Sequence, residues 1–268
     1  MELDDIVNEI IHVQDNGLKM NSLKERFPDI DLRTAYQIQS RIHDRRLEEG
    51  WAPVGRKLGF TNENIWGTYG VESPIWAHIY DHTVSFTEGR VGVFDLSKTL
   101  EPRIEPEIVI ALKSPLEHED SSDAIVNKVE WWALGFEIVH SRLANWKFTA
   151  EDVVADMGLH TALIIGEKLP IPAIRDHLRT SFEEIEIELL RGPQVKARGV
   201  GANALGGAHR ATRFLLENLG SDSRGLLPTE DEIICTGTVT DAFRVQTGET
   251  WSVRLCGENV ANLELRFE

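Results

Sequence analysis

Cysteine is nearly absent: two in 268 residues, Cys235 and Cys256. Two thiols in strand-like segments near the C-terminus make no disulfide framework, and no Cys/His cluster has zinc-site spacing. Positive charge is scarce as well. The chain has 28 Lys and Arg against 44 Asp and Glu, a formal net charge of −16. Such a chain neutralises no phosphate backbone and is repelled by an anionic membrane surface, so neither nucleic acid nor membrane is expected as a partner. No apolar run approaches the ~20 residues of a membrane span. The opening Met1-Glu-Leu-Asp-Asp lacks the basic region and apolar stretch of a signal peptide. A cytoplasmic enzyme or binding protein is the expectation. Also missing are a nucleophile elbow, a phosphate loop and a dinucleotide fingerprint. Gly201-Ala-Asn-Ala-Leu-Gly206-Gly207 has neither the spacing nor the preceding strand of the last.

What is present reads as an ordinary globular protein, 41% hydrophobic and 27% charged. Leu3, Ile6, Val7, Ile10 and Ile11 recur at helical spacing, predicting a helix over 3–13. A second helix is predicted over 32–49, with Asp31 as N-cap and Ala35, Ile38, Ile42 and Leu47 inward. Residues 1–53 form an N-terminal helical lobe that Gly50-Trp-Ala-Pro53 ends. From Val54 the texture changes to short apolar runs broken by Gly, Pro and Asp. Strands are expected at 55–60, 91–96, 104–112, 160–166 and 182–190, short helices at 62–69 and 151–156, and longer ones at 122–136 and 208–219. The last part, 233–267, reads as strands separated by Gly237, Gly248 and Gly257. Residues 54–268 are therefore one β-rich α+β domain.

The chemistry concentrates in Glu101-Pro-Arg-Ile-Glu-Pro-Glu-Ile-Val-Ile110. Glu105 and Glu107, two apart on a strand, share one face, while Ile104, Ile108 and Ile110 take the other. Pro106 supplies no backbone N–H, which predicts an edge or a bulge there. Adjacent carboxylates repel unless a cation lies between them, and oxygen ligands suit a hard divalent ion such as Mg²⁺ or Mn²⁺. The alternative is a solvated acidic strand. Glu137, between apolar segments, is the candidate third ligand, the alternative being an ion pair with Arg142. Lys57, flanked by Gly55 and Gly59, is the candidate proton-transfer group; a nearby divalent ion would push it toward its neutral form. Asp81, His82, His140, Asp156 and His160 stand beside apolar segments and are candidates to line a pocket.

Several segments, in order along nearly the whole chain, resemble the fumarylacetoacetate hydrolase-like superfamily, in its 2-hydroxypentadienoate hydratase and 4-oxalocrotonate decarboxylase branch. They are Ala35-Tyr-Gln-Ile-Gln39, Gly55-Arg-Lys57-Leu-Gly59-Phe-Thr61, Gly70-Val71 with Pro74 and Asp81, and Arg103-Ile-Glu105-Pro-Glu107-Ile. Glu137-Ile-Val with Ser141-Arg142, then Trp146 and Val154-Ala-Asp156, follow, and Gly237-Thr-Val-Thr240 with Val245 and Gly248 close the series. The resemblance implies a β-rich roll of mixed sheets, homo-oligomeric assembly, a metal held by Glu105, Glu107 and Glu137, and Lys57 in the pocket. Beside these four, Asp81 and His140 are taken as further catalytic candidates, and Arg56, Ser141, Asp156, His160 and Thr240 as candidates for substrate binding.

The implied function is that of a divalent-metal-dependent hydratase acting on a short 2-hydroxydienoate or 2-oxo acid of aromatic-compound catabolism. The alternatives, in order, are a 2-oxo acid decarboxylase, a C–C hydrolase of acylpyruvates, whose water-activating residue would be His140 or His160, and a non-catalytic partner subunit. Three positions depart from the family pattern. Arg56 stands where an aromatic is usual, His140 where Asp or Gly is common, and Met157-Gly-Leu-His160 where a small polar run is usual. The added His and Arg favour a second carboxylate on the substrate.

Overall fold

The computed structural model describes residues 2–171, 181–221, 227–257 and 263–268. The N-terminus forms helices α1 (Leu3–Asp15), α2 (Leu23–Arg26) and α3 (Leu32–Glu48). Ile6, Val7, Ile10 and Val13 of α1 fall on one face and are buried. The Asp31 carboxylate caps α3 by accepting the Thr34 N–H at 2.8 Å. Ala35, Ile38 and Ile42 face inward as expected, but Leu47 is exposed and Arg46 is buried in its place. The Arg46 guanidinium lies 4.2 Å from the Trp51 ring centre and pairs with Asp15 and Glu49. These helices share one apolar cluster with Ile75, Tyr80, Val139, Val153 and Leu159.

The remaining helices are α4 (Trp66–Tyr69), α5 (Ser122–Lys128), α6 (Ala150–Ala155), α7 (Ser181–Glu184) and α8 (Ala208–Ser221). The strands of the first sheet are β1 (Pro53–Gly59), β2 (Ile75–Tyr80), β3 (Val84–Phe86), β5 (Arg103–Leu112), β6 (Val129–Val139), β7 (His160–Ile165), β8 (Leu169–Pro170), β11 (Ile233–Thr238) and β12 (Phe243–Arg244). Its order is β2-β1-β11-β5-β6-β7-β3, with β12 on β5 and β8 on β6. The second sheet is β10-β9-β13-β14-β4, built from β4 (Val91–Phe94), β9 (Glu186–Arg191), β10 (Gln194–Val200), β13 (Thr250–Leu255) and β14 (Leu263–Phe267). Parallel pairs, β1 with β11 among them, occur beside antiparallel ones, so both sheets are mixed. Ile104, Ile108 and Ile110 of β5 meet Ile187, Leu189, Trp251 and Val253 of the second sheet in the main core, with Ala211 and Leu215 of α8. This is the expected α+β roll. Among the described residues no helix is long and apolar enough to cross a membrane.

Four local expectations are corrected. Residues 122–136 are not one helix. Ser121 caps the short α5 by accepting from Ala124 N–H at 3.2 Å, and the chain enters β6 at Val129. Trp132, Leu134, Phe136 and Ile138 face the main core, and Ala133 lies in a cluster on the other side. A strand buried on both faces has no alternation of polar and apolar residues to betray it. Phe182 lies in α7, and the strand after it begins at Glu186. At Pro106 the bulge is realised and the edge is not: β5 runs between β11 and β6, and β11 shifts register between Cys235 and Thr238, opposite Glu107.

Gly237 is inside β11, not at a turn between strands. Its φ is +96°, and a Cβ there would lie 1.8 Å from Thr61 Oγ1. The unusual conformation aims the Gly237 N–H at Glu107 Oε2, 2.7 Å away. Gly237→Ala is therefore expected to destabilise the protein by at least ~2 kcal/mol in denaturant unfolding, through backbone strain and the clash. An unchanged unfolding midpoint would contradict this role.

Candidate active site

Four neighbouring strands bring the charged groups together. Glu105 and Glu107 lie on one face of β5, and Glu137 of β6 is the direct cross-strand partner of Glu105. Lys57 on β1 pairs in register with Cys235 on β11, which pairs in turn with Val109 on β5. Lys57, Glu107 and Glu137 are 3%, 1% and 0% exposed. The Lys57 ammonium lies 3.2 Å from Glu137 Oε2 and donates to the Gly158 carbonyl at 3.0 Å. Cys235 Sγ–H donates to Glu107 Oε2 at 2.8 Å.

The electrostatics follow from burial and crowding. Burial raises the Glu105 pKa, Glu137 adds to it, and Lys57 and Arg103 only partly oppose, leaving Glu105 at about 7. Glu107 is pushed well above the usual carboxylate range, by burial first and then by Glu137 and Glu105. Burial also acts to raise Glu137, but Lys57 and the His160 hydrogen bond outweigh it, so Glu137 titrates below its ordinary value. Burial opposes the charged form of Lys57, yet the three carboxylates more than offset that and raise its pKa. Without a metal, Lys57 is therefore an ammonium rather than a neutral base. Burial and Glu107 raise the Cys235 pKa and keep it a thiol.

With all carboxylates ionised, three negative charges face one ammonium, an excess of two. Glu107 Oε1 is buried with no hydrogen-bond donor, and Glu137 Oε2 has only the Lys57 ammonium at 3.2 Å. One ligand atom each from Glu107, Glu137 and Cys235 fall within 4.8 Å of one another. A buried carboxylate oxygen without a partner, in a cluster two positive charges short, fits a hard divalent cation.

A cavity of about 370 Å³ opens onto this cluster, with Lys57, Glu105 and Thr240 among its walls. Phe60, Trp146, Phe148, Val153 and Leu159 make much of the remainder apolar, and Arg103, Thr238 and Asp241 add polar groups. Three consecutive residues, Met157, Gly158 and Leu159, have φ of +53°, +69° and +59°. Left-handed non-glycine residues cost about 1–2 kcal/mol each. Here the turn presents the Gly158 carbonyl to Lys57, and a Cβ on Gly158 would come within 3.0 Å of the Lys57 side chain. Strain located at a site in this way is part of how it is held.

The structure thus brings together Lys57, Glu105, Glu107, Glu137 and Thr240, and sends the other candidates elsewhere. His160 does not face the cavity. Its Nδ1–H donates to Glu137 Oε1 at 2.8 Å, and Nε2 shares a hydrogen bond with the Thr83 hydroxyl at 3.0 Å, so it orients a carboxylate rather than lining the cavity. His140 and Asp156 line a separate cavity behind Glu137. Asp156 is the partner of Arg142, at 2.9 Å, so Arg142 does not pair with Glu137. Ser141 is spent on a turn, its hydroxyl donating to the Leu143 carbonyl at 2.8 Å. Arg56, next to Lys57, necessarily points to the opposite face of β1, where it meets Glu232 at 3.2 Å in a third cavity with His43 and His78. Asp81 is exposed and accepts the His82 N–H at 2.9 Å, far in role from a proton-transfer group. Arg103 and Cys235 went unselected by sequence. The two-residue spacing from Arg103 to Glu105 carried a signal for the first, since both share a strand face; nothing local pointed to Cys235.

No family model matches the chain. The 4-oxalocrotonate decarboxylase of Pseudomonas sp. (strain CF600) is 30% identical over 261 residues, covering 96% of this chain and 94% of the relative. The 2-keto-4-pentenoate hydratase of Paraburkholderia xenovorans (strain LB400) is 26% identical over 266 residues, covering 99% and 94%. The solved structure of 4-oxalocrotonate decarboxylase from Pseudomonas putida G7, complexed with magnesium and adipate, matches with a TM-score of 0.90 at 26% identity, over 100% of this chain and 97% of that one. The chain belongs to the branch of the fumarylacetoacetate hydrolase-like superfamily that contains the 4-oxalocrotonate decarboxylases and 2-keto-4-pentenoate hydratases, and is an enzyme of lyase type.

Proposed function

We propose that this protein is a divalent-metal-dependent lyase acting on a short 2-oxo acid or its 2-hydroxydienoate enol, with magnesium or manganese as the ion. The observation that carries the reading is the convergence of Glu105, Glu107 and Glu137 with Lys57, where Lys57 and Glu105 line a cavity with largely apolar walls and Glu107 and Glu137 are buried beside them. Glu105, Glu107 and Glu137 would hold the ion, and the His160 hydrogen bond fixes the Glu137 carboxylate for that task. When bound, the ion supplies Lewis-acid polarisation of the 2-oxo or enol oxygen and an anchor for the substrate carboxylate. Lys57 holds a proton at Nζ beside that anchor and exchanges it with a substrate carbon during enol–keto conversion. A divalent charge nearby lowers the Lys57 pKa from its raised value, toward one useful near neutrality. Phe60, Trp146, Phe148, Val153 and Leu159 accept the unsaturated carbon chain.

Addition of water at the activated alkene is the first reading of the reaction. Decarboxylation is the second, and Arg103 favours it. Its guanidinium stands 3.8 Å from the Trp146 ring centre and lines the cavity, where it can meet a second carboxylate. The likeness to a decarboxylase whose structure holds a dicarboxylate, adipate, supports the same reading.

Given magnesium and a panel of 2-hydroxydienoates, 2-oxoenedioates and acylpyruvates, the enzyme is expected to hydrate the first or release CO₂ from the second. Cleavage of acylpyruvates alone into two acids would overturn the lyase reading. Glu107→Gln is expected to lose at least ~10²-fold in kcat/KM, together with metal affinity in calorimetry; full turnover in that variant would remove the metal from the mechanism. Lys57→Met is expected to lose ~10²–10⁴-fold in kcat while binding metal at least as tightly as the parent, since an opposing charge has gone. Loss of metal binding with unchanged kcat per loaded enzyme would show Lys57 to be structural.

Stability should report the same cluster. Glu105 titrates at about 7 in the fold against an ordinary 4.5, so the unfolded chain gives up its proton first. The Glu105 contribution to metal-free stability therefore falls as pH rises between those two values, and Glu107, raised well above its ordinary value, extends the fall. Magnesium should raise Tm more at about pH 8 than at about pH 5, where protons compete for the carboxylates. A Tm shift independent of pH would contradict the assignment.

A further inference from the structure

Arg103 and Glu105 are two apart on β5, on the same face and about 7 Å from each other along the strand, a separation comparable with the length of a short dicarboxylic acid. Both line the cavity at Lys57. An arginine side chain has many rotamers, so a guanidinium in such a wall needs something to keep it there. Here its Cζ lies 3.8 Å from the Trp146 ring centre, the distance of a stacked pair.

The ring itself is fixed from several directions. Trp146 is 8% exposed, its Nε1–H donates to the Glu101 carbonyl at 2.9 Å, and the Phe148 ring centre is 6.0 Å away. It belongs to the apolar cluster of the N-terminal helices. The backbone around it is strained. Asn145 and Trp146 have φ of +58° and +57°, and Glu101, which receives the indole N–H, has φ of +49°. Asparagine visits this left-handed region readily, whereas glutamate and tryptophan do so rarely. Residues in that state, bonded to one another beside a cavity, show that the surrounding structure over-determines one geometry. Both ends of the loop that carries Trp146 are pinned as well. Ser141 Oγ accepts the Leu143 N–H at 3.2 Å, and Thr149 and Asp152 form a capping box at the start of α6. The indole is therefore a rigid platform with the guanidinium resting on it.

We propose that Trp146 is a positioning residue: it holds the Arg103 guanidinium toward the cavity, and the pair selects a 2-oxo diacid over the 2-oxo monoacid of the same length, given that Arg103 is the group that meets a second carboxylate. A guanidinium already in place loses less side-chain freedom on binding, so the stack strengthens the hold on the diacid and leaves the monoacid unaffected.

The magnesium-loaded full chain is titrated in a calorimeter with 2-oxoadipate and with 2-oxohexanoate, which differ only at the carbon farthest from the 2-oxo acid end. The parent should bind the diacid at least ~10-fold more tightly, the effect of one hydrogen-bonded contact between charged groups. Trp146→Phe keeps an aromatic ring but removes the indole N–H and part of the platform, and should lower that ratio at least ~3-fold. In an Arg103→Met background the same substitution should change the ratio by less than about 1.5-fold, because no guanidinium remains to be placed. Arg103→Lys leaves Trp146 untouched and decides the matter if Trp146→Phe folds poorly. Its ammonium keeps the charge without the planar stack and should also lose at least ~3-fold of the ratio. A parent that binds both acids equally overturns the second-carboxylate reading and the positioning role together. A parent that prefers the diacid overturns the positioning role alone if the ratio is unchanged in Trp146→Phe or in Arg103→Lys, or if Trp146→Phe lowers it equally with and without Arg103.

Discussion

Three buried carboxylates on adjacent strand positions are the constraint around which this protein is arranged. Glu105 and Glu137 face each other directly across β5 and β6, and Glu107 is one step along the same face. Two like charges about 4 Å apart repel by about 4 kcal/mol at the effective dielectric of a protein site. The fold answers with an ammonium from β1, an amide from a left-handed glycine in β11, a thiol from the same strand and an imidazole from β7. These leave Glu107 Oε1 buried without a partner and Glu137 Oε2 with the ammonium alone. The neighbours moderate the repulsion without abolishing it, and a divalent cation is the group that would offset the remainder.

The cost is visible in the backbone. Gly237 and the run Met157–Leu159 have positive φ, and both hold a group of the site, the amide that meets Glu107 and the carbonyl that meets Lys57. Apolar packing on the far face of β5, where Ile104, Ile108 and Ile110 enter the core between the sheets, supplies stability against which such strain is tolerated.

The carboxylate pair and its lysine were legible because strand periodicity puts Glu105 and Glu107 on one face whatever the tertiary structure. The helices at 3–15 and 32–48 were legible for the same reason, each showing one apolar stripe and, for the second, an Asp cap. Strand β6 was hidden because it is buried on both faces, so Trp131 to Phe136 reads equally well as a helix. Arg56, His140 and His160 are close to site residues in sequence, but alternation sends Arg56 through the sheet, and His140 follows the end of β6. Proximity along the chain said nothing about the side to which each would point. His160 has a role at the site, as a support for Glu137 rather than a contact to substrate. The cavity that Lys57 and Glu105 line also has Arg103, Trp146, Phe148 and Asp241 in its walls, none of them chosen from their local sequence.

The central claim is that Glu105, Glu107 and Glu137 together hold one divalent ion. Crystals grown with Mn²⁺ and measured at the manganese absorption edge test it most directly. The account predicts one strong anomalous peak per chain, bounded by these three carboxylates and beside Lys57. A peak elsewhere, or none at this position with the three carboxylates well ordered, would contradict it.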